Sequence, residues 1–131
     1  MEIKHKVFVG INTLEDLALD RSKYFDKERH QQTDEWWIGK CFGSRDAWDF
    51  IGATLKAKGE SIMPAFIAEC YMMSKDKEAA PDLDDNSAGY YSGQKDVYKA
   101  ALRAIGNEDL INLVDDGKYD PEQYMAATLG R

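Results

Sequence analysis

The side chains best suited to chemistry are a carboxylate, an imidazole and an amine that lie far apart in the chain. Glu69 is the only charged residue within 61–74, and burial in such an apolar segment would raise its pKa into the range of a general acid or base. His30 precedes two acidic residues, as a base and its orienting carboxylate would. Lys40 precedes a predicted helix whose N-terminus could hold an anion. One hypothesis is therefore a small enzyme or small-molecule-binding domain with a pocket near Glu69, His30 and Lys40.

No catalytic set completes this hypothesis, and no metal site or cofactor is expected. The potential zinc ligands are His5, His30, Cys41 and Cys70. None of them forms a CxxC or HxxxH pair, and structural zinc sites usually draw their ligands from such close pairs. The acidic segment around residue 84 lacks the glycine and the bidentate glutamate of an EF-hand loop. A non-catalytic protein is the favoured alternative.

Paired aromatic residues are the main indication of a binding surface. The sequence contains Trp36-Trp37 and Tyr90-Tyr91. Adjacent side chains diverge by about 100° on a helix and about 180° on a strand, so one member of each pair is expected near the surface. Tryptophan and tyrosine are frequent interface anchors. The alternatives are that Trp37 packs in the core and that the tyrosines pin a neighbouring loop. The candidate interface residues are Asp82, Asp84, Asp85, Tyr90, Tyr91 and Trp37.

The periodicity of apolar residues predicts a helix-dominated α+β fold. Residues 3–11 alternate between apolar and polar side chains, which indicates a strand with one buried face. A strand needs a partner for its backbone groups, and residues 36–42 or 66–72 could provide one. Helical spacing and capping residues predict helices over about 13–31, 44–58, 61–73, 92–105, 107–114 and 120–129. We therefore expect about five or six helices with a small sheet that includes the N-terminal strand, and an all-α fold as the alternative.

The chain is expected to form a single domain over 1–131, interrupted by a long acidic loop at 74–93. This segment is rich in turn-forming residues and has neither helical nor strand periodicity. A connection of this length is usually functional or disordered. No internal repeat is evident at periods of 20–50 residues.

Charge and composition favour a protein partner over a nucleic acid or a membrane. The 131 residues carry a net charge of −7, and residues 61–131 hold 13 acidic against seven basic side chains. Such a balance opposes direct nucleic-acid binding. The chain lacks a long apolar run and a secretory signal, so a cytoplasmic location is expected. The resulting hypothesis is a small acidic regulator or inhibitor, with a phage-type inhibitor that targets a basic nucleic-acid-binding protein surface as its specific sub-case.

Overall fold

A computed structural model describes residues 11–123, and this part of the chain forms five α-helices without any strand. The helices are α1 (Ile11–Arg29), α2 (Glu35–Lys58), α3 (Met63–Glu78), α4 (Asp85–Ala104) and α5 (Glu108–Asp115). The predicted α+β fold is wrong, because both proposed strand partners, 36–42 and 66–72, lie within helices. The all-α alternative fits. The predicted strand at 3–11 lies outside the described residues except for Ile11, which begins α1.

The connection between α3 and α4 is much shorter than the predicted loop at 74–93. The helix predicted over 61–73 is confirmed as α3, with Pro64 in its first turn, but α3 continues to Glu78. Helix α4 then begins at Asp85, with Asp84 as its N-cap. Residues 79–84 alone connect the two helices. The turn-forming residues of the segment therefore lie mostly inside helices.

The first four helices form two antiparallel hairpins. In the first hairpin, Lys56 near the end of α2 lies 3.3 Å from the carboxylate of Glu15 near the start of α1. In the second, Lys95 of α4 lies 2.7 Å from the carboxylate of Glu78 at the end of α3. Helix α5 packs on α3 and α4. All five helices contribute to one core, whose most deeply buried large side chains are Ile51, Leu55, Met63, Ile67, Leu102 and Ile111.

Helices α2 and α4 run parallel and touch through their backbones. A Cβ atom on Gly39 would lie 2.0 Å from the carbonyl oxygen of Asn86, and one on Gly89 would lie 2.0 Å from that of Trp36. These contacts are reciprocal, because Gly89 follows Gly39 by fifty positions and Asn86 follows Trp36 by fifty positions. Small residues permit such close helix approach. The two helices are therefore related by an approximate two-fold axis.

The same relation holds one turn further along, which reveals an internal repeat that the sequence analysis did not detect. A Cβ on Gly43 would lie 2.0 Å from the carbonyl oxygen of Tyr90, and one on Gly93 would lie 2.4 Å from that of Lys40. The side chains follow the same pattern. Lys40 forms an ion pair with Asp96 at 2.9 Å, while the Tyr90 hydroxyl donates a hydrogen bond to Asp46 at 2.7 Å. The chain thus contains two copies of one helical hairpin, α1–α2 and α3–α4.

No helix within residues 11–123 combines the length and apolar character needed to cross a lipid bilayer.

Candidate protein-binding surface

The parallel packing of α2 and α4 brings two distant parts of the sequence to one end of the molecule. The side-chain amide of Asn86 donates hydrogen bonds to the carbonyl oxygen of Glu35, at 3.4 Å, and to its carboxylate, at 3.3 Å. The N-termini of the two helices are therefore neighbours. We call the surface that they form the acidic end; its residues are Asp34, Glu35, Trp37, Asp82, Asp84 and Asp85.

Two carboxylates of the acidic end are helix caps. Asp34 accepts hydrogen bonds from the backbone N–H groups of Trp36, at 3.0 Å, and Trp37, at 3.3 Å. Asp84 accepts one from the backbone N–H of Ser87 at 2.7 Å. This backbone hydrogen bond, with a further one from the Ser87 side chain, lowers the pKa of Asp84. Both caps satisfy helix N–H groups that would otherwise lack partners. Asp34 and Asp84 themselves are exposed to solvent.

The negative charge of the acidic end is not neutralised by basic side chains of the described chain. Elsewhere, carboxylates such as Asp26, Asp96 and Asp115 form ion pairs with lysine or arginine. Within residues 11–123, none of the acidic-end carboxylates has a lysine or arginine nitrogen within 4.0 Å. Asp82 also has a left-handed backbone with φ of 66°, a conformation in which aspartate is enriched among non-glycine residues. These carboxylates are exposed to solvent, where a cationic partner could reach them.

Trp37 is the apolar component of the acidic end. Half of its surface, 50%, is exposed, whereas Trp36 is only partly exposed. The two rings pack edge to face with centroids 4.8 Å apart, and the Lys40 ammonium lies 5.6 Å from the Trp37 ring centroid. The core placement considered for Trp37 is therefore not observed. The Trp37 ring therefore contacts Trp36 while half of the residue stays exposed to solvent, as is expected of an anchor at an interface.

The two tyrosines contribute to the fold more than to the exposed surface. The hydroxyl of Tyr90 donates to Asp46 and accepts a hydrogen bond from Gln94 at 3.3 Å. Burial, together with the Asp46 carboxylate, raises the pKa of Tyr90. The ring of Tyr91 lies against Tyr90, with centroids 5.6 Å apart, and its centroid is 5.7 Å from the Lys77 ammonium. Both tyrosines are half-buried, so Tyr90 in particular serves to fasten α4 to α2.

The alternative pocket near Glu69, His30 and Lys40 is not assembled. Glu69 is exposed on α3 and lines a cavity beside Phe50 and Cys70. Lys40 lines a different cavity between α1, α2 and α4. His30 is exposed just after the end of α1. Residues 11–123 also contain no group of three or more His, Cys, Asp or Glu side chains placed to hold a metal ion.

Sequence reasoning missed Asp34 and Glu35 as members of this surface. Each belongs to a pattern that occurs twice in the chain, an aspartate cap, an acidic residue and then Gly-x-x-x-Gly. That repeated pattern was the available indication that both helix starts lie together. Comparison with known proteins found no matching family model, no matching curated protein and no matching solved structure. The functional conclusion therefore rests on the geometry of the chain itself.

Proposed function

We propose that this protein is a non-catalytic protein-binding module that docks through its acidic end on a basic surface of a partner protein. The observation that carries the proposal is the half-exposed Trp37 beside carboxylates that have no lysine or arginine nitrogen within 4.0 Å among residues 11–123. A large aromatic side chain supplies apolar contact area at low conformational cost. The surrounding charges add orientation and accelerate association with a cationic surface.

The partner that suits this surface best is a nucleic-acid-binding protein. The basic surface of such a protein contacts phosphates. Exposed carboxylates on a chain with a net charge of −7 are attracted to the same cationic side chains. The module would then act as a small acidic regulator or inhibitor by occupying that surface. A cytoplasmic location is part of this proposal, since both cysteines are free thiols, which suits a reducing compartment.

Affinity capture with matched baits tests the proposal. The first bait is the unmodified chain, and the second carries Trp37→Ala, Asp82→Asn and Asp85→Asn. Asp84 is left intact because it caps α4, and asparagine tolerates the left-handed backbone at position 82. The control bait carries Leu113→Ala, Asp109→Asn and Asp116→Asn, which removes an exposed apolar side chain and two exposed carboxylates from the α5 region.

We expect the unmodified and control baits to recover the same basic protein from extracts of the native host. The acidic-end variant should recover about tenfold less of it, because loss of an aromatic anchor commonly has that effect. Thermal melting of the three baits checks that all are folded. Equal recovery of the partner by the acidic-end variant and the unmodified chain would overturn the proposal.

A further inference from the structure

The cavity that Lys40 lines is separate from the acidic end and lies in a groove between α1, α2 and α4. Its volume is about 430 Å³, which is within the range of small-molecule sites. The side chains that matter for its chemistry are Arg21, Tyr24, Phe25, Lys40, Trp48 and Asp96. None of these residues belongs to the acidic end, so the cavity and the proposed protein contact are formed by different residues.

Arg21 is the unusual residue of this cavity. Its Nε atom is buried and has no hydrogen-bond partner in the described part of the chain. The guanidinium carbon lies 4.4 Å from the ring centroid of Tyr24 and 5.7 Å from that of Phe25. No carboxylate of residues 11–123 lies within 4.0 Å of the Arg21 guanidinium. A buried donor without a partner is unfavourable, and a guanidinium without a carboxylate partner leaves a positive charge that can attract an anion.

The internal repeat shows that the fold does not require a cation at this position. The second hairpin has a matching cavity, in which Cys70, Met73 and Tyr98 line the groove. Cys70 and Met73 follow Arg21 and Tyr24 by 49 positions and Tyr98 follows Trp48 by fifty, because the connection within the second hairpin is one residue longer than that within the first. Burial raises the pKa of Cys70 to about 11, so this position is neutral in the second hairpin. The same packing is therefore achieved there without an unpaired charge.

The remaining side chains define the charge and shape of the ligand. Lys40 is already neutralised by Asp96 at 2.9 Å, so among the described residues Arg21 leaves one positive charge without an ion-pair partner. Three aromatic rings, those of Tyr24, Phe25 and Trp48, line the groove. We infer that this cavity binds a small organic monoanion, a carboxylate on a flat apolar body, with the carboxylate on the Arg21 guanidinium. Such a pair forms strong charge-assisted hydrogen bonds.

Benzoate is a suitable probe, with benzamide as its neutral isostere, and binding can be followed by amide chemical shifts of the full chain. We expect saturable benzoate binding with a Kd of about 1 mM or below, a realistic affinity for so small a ligand. The shift changes should centre on Arg21, Phe25 and Val97. Arg21→Gln should weaken binding at least about tenfold, since the charged hydrogen bonds are lost. Arg103→Gln, an identical change at an exposed arginine, should leave binding unchanged.

Three results would overturn the inference: no saturable benzoate binding, equal binding of benzamide, or unchanged binding by Arg21→Gln. The benzamide comparison uses the unmodified chain, so it decides the matter even if the Arg21 variant is unstable. Failure of this test leaves the protein-capture experiment unaffected, because the two sites share no residue.

Discussion

A three-residue cluster of Tyr71, Lys75 and Asp115 fastens α5 to the rest of the fold. The Asp115 carboxylate accepts hydrogen bonds from the Tyr71 hydroxyl at 2.7 Å and from the Lys75 ammonium at 2.6 Å. Burial alone would raise the pKa of Asp115, but these two hydrogen bonds lower it below its ordinary value of 3.8. A carboxyl group whose pKa is lowered by folding stabilises the folded state above its unfolded pKa. That stability is lost as the pH falls through the folded pKa.

Removing the Tyr71 hydroxyl should make the protein less stable and less sensitive to acid. Tyr71→Phe should lower the free energy of unfolding by about 1 kcal/mol at neutral pH, a modest value because Asp115 is partly exposed. The difference from the unmodified protein should shrink as the pH falls through the lowered pKa of Asp115 in the folded state, because the carboxyl group is then protonated in both proteins. Urea denaturation followed by circular dichroism measures both effects.

Tyr91→Phe is the matched control for this prediction, because the Tyr91 hydroxyl has no hydrogen bond within the described residues. Its free energy of unfolding should be unchanged at either pH. Equal stability of Tyr71→Phe and the unmodified protein at neutral pH would contradict the role given to the cluster.

Several single-residue roles were predictable from the sequence, and others were not. The cap at Asp120 is confirmed by its hydrogen bonds from the backbone N–H groups of Glu122, at 3.1 Å, and Gln123, at 3.3 Å. A cap depends on neighbours in sequence, so local reasoning finds it. The Tyr71–Asp115 hydrogen bond joins residues 44 positions apart. That Arg21 has no ion-pair partner within residues 11–123 is likewise a tertiary property, and no spacing rule indicates it.

At the scale of elements, the backbone contact between α2 and α4 governs the architecture. The glycines at positions 39, 43, 89 and 93 allow the two helices to approach until each meets a carbonyl oxygen of the other. A methyl group at any of these positions would force the helices apart, because a backbone oxygen cannot rotate away as a side chain can. The contact therefore fixes where both helix N-termini lie.

Alanine substitution distinguishes Gly43, which lies in the backbone contact, from Gly52, an ordinary helical glycine. Gly43→Ala should reduce the free energy of unfolding by about 3 kcal/mol, because its Cβ would lie 2.0 Å from the Tyr90 carbonyl oxygen. Gly52→Ala should instead increase it by up to about 1 kcal/mol, the usual helix-propensity gain. A Cβ at Gly52 would be 3.6 Å from Ala18 Cβ, an ordinary contact. Chemical denaturation of both variants provides the comparison.

If Gly43→Ala proves as stable as Gly52→Ala, the backbone contact does not hold α2 and α4 together in solution.

The glycines also explain why the sequence predicted some elements and missed others. The segment 61–73 has helix-forming residues and was predicted correctly, but glycine is ambiguous, since it marks turns as well as close helix contacts. At 74–93 the glycines and other turn-forming residues indicate a long loop, and this prediction is wrong because α3 and α4 occupy most of the segment. At 36–42 the sequence is compatible with a strand as well as a helix, and the segment lies within α2.

At the scale of the whole molecule, the internal two-fold relation accounts for the acidic end. Parallel helices place their N-termini, which carry partial positive charge, side by side. Asp34 and Asp84 cap these ends, and Glu35 and Asp85 lie in the first turns. These carboxylates offset the helix dipoles and avoid the mutual repulsion that two bare N-termini would have. The same arrangement leaves a concentrated negative surface beside Trp37, so one structural feature serves both folding and the proposed docking.

The most direct test of docking is to place a photo-reactive p-benzoylphenylalanine at position 37 and to irradiate the protein in its native host. We expect a covalent adduct with a protein that has a basic surface. When the irradiation is repeated in host extracts brought to about 1 M salt, the yield of this adduct should fall, because charge attraction is screened. The same reagent at position 113 is the control. No adduct at position 37, or the same set of adducts at both positions, would contradict the account.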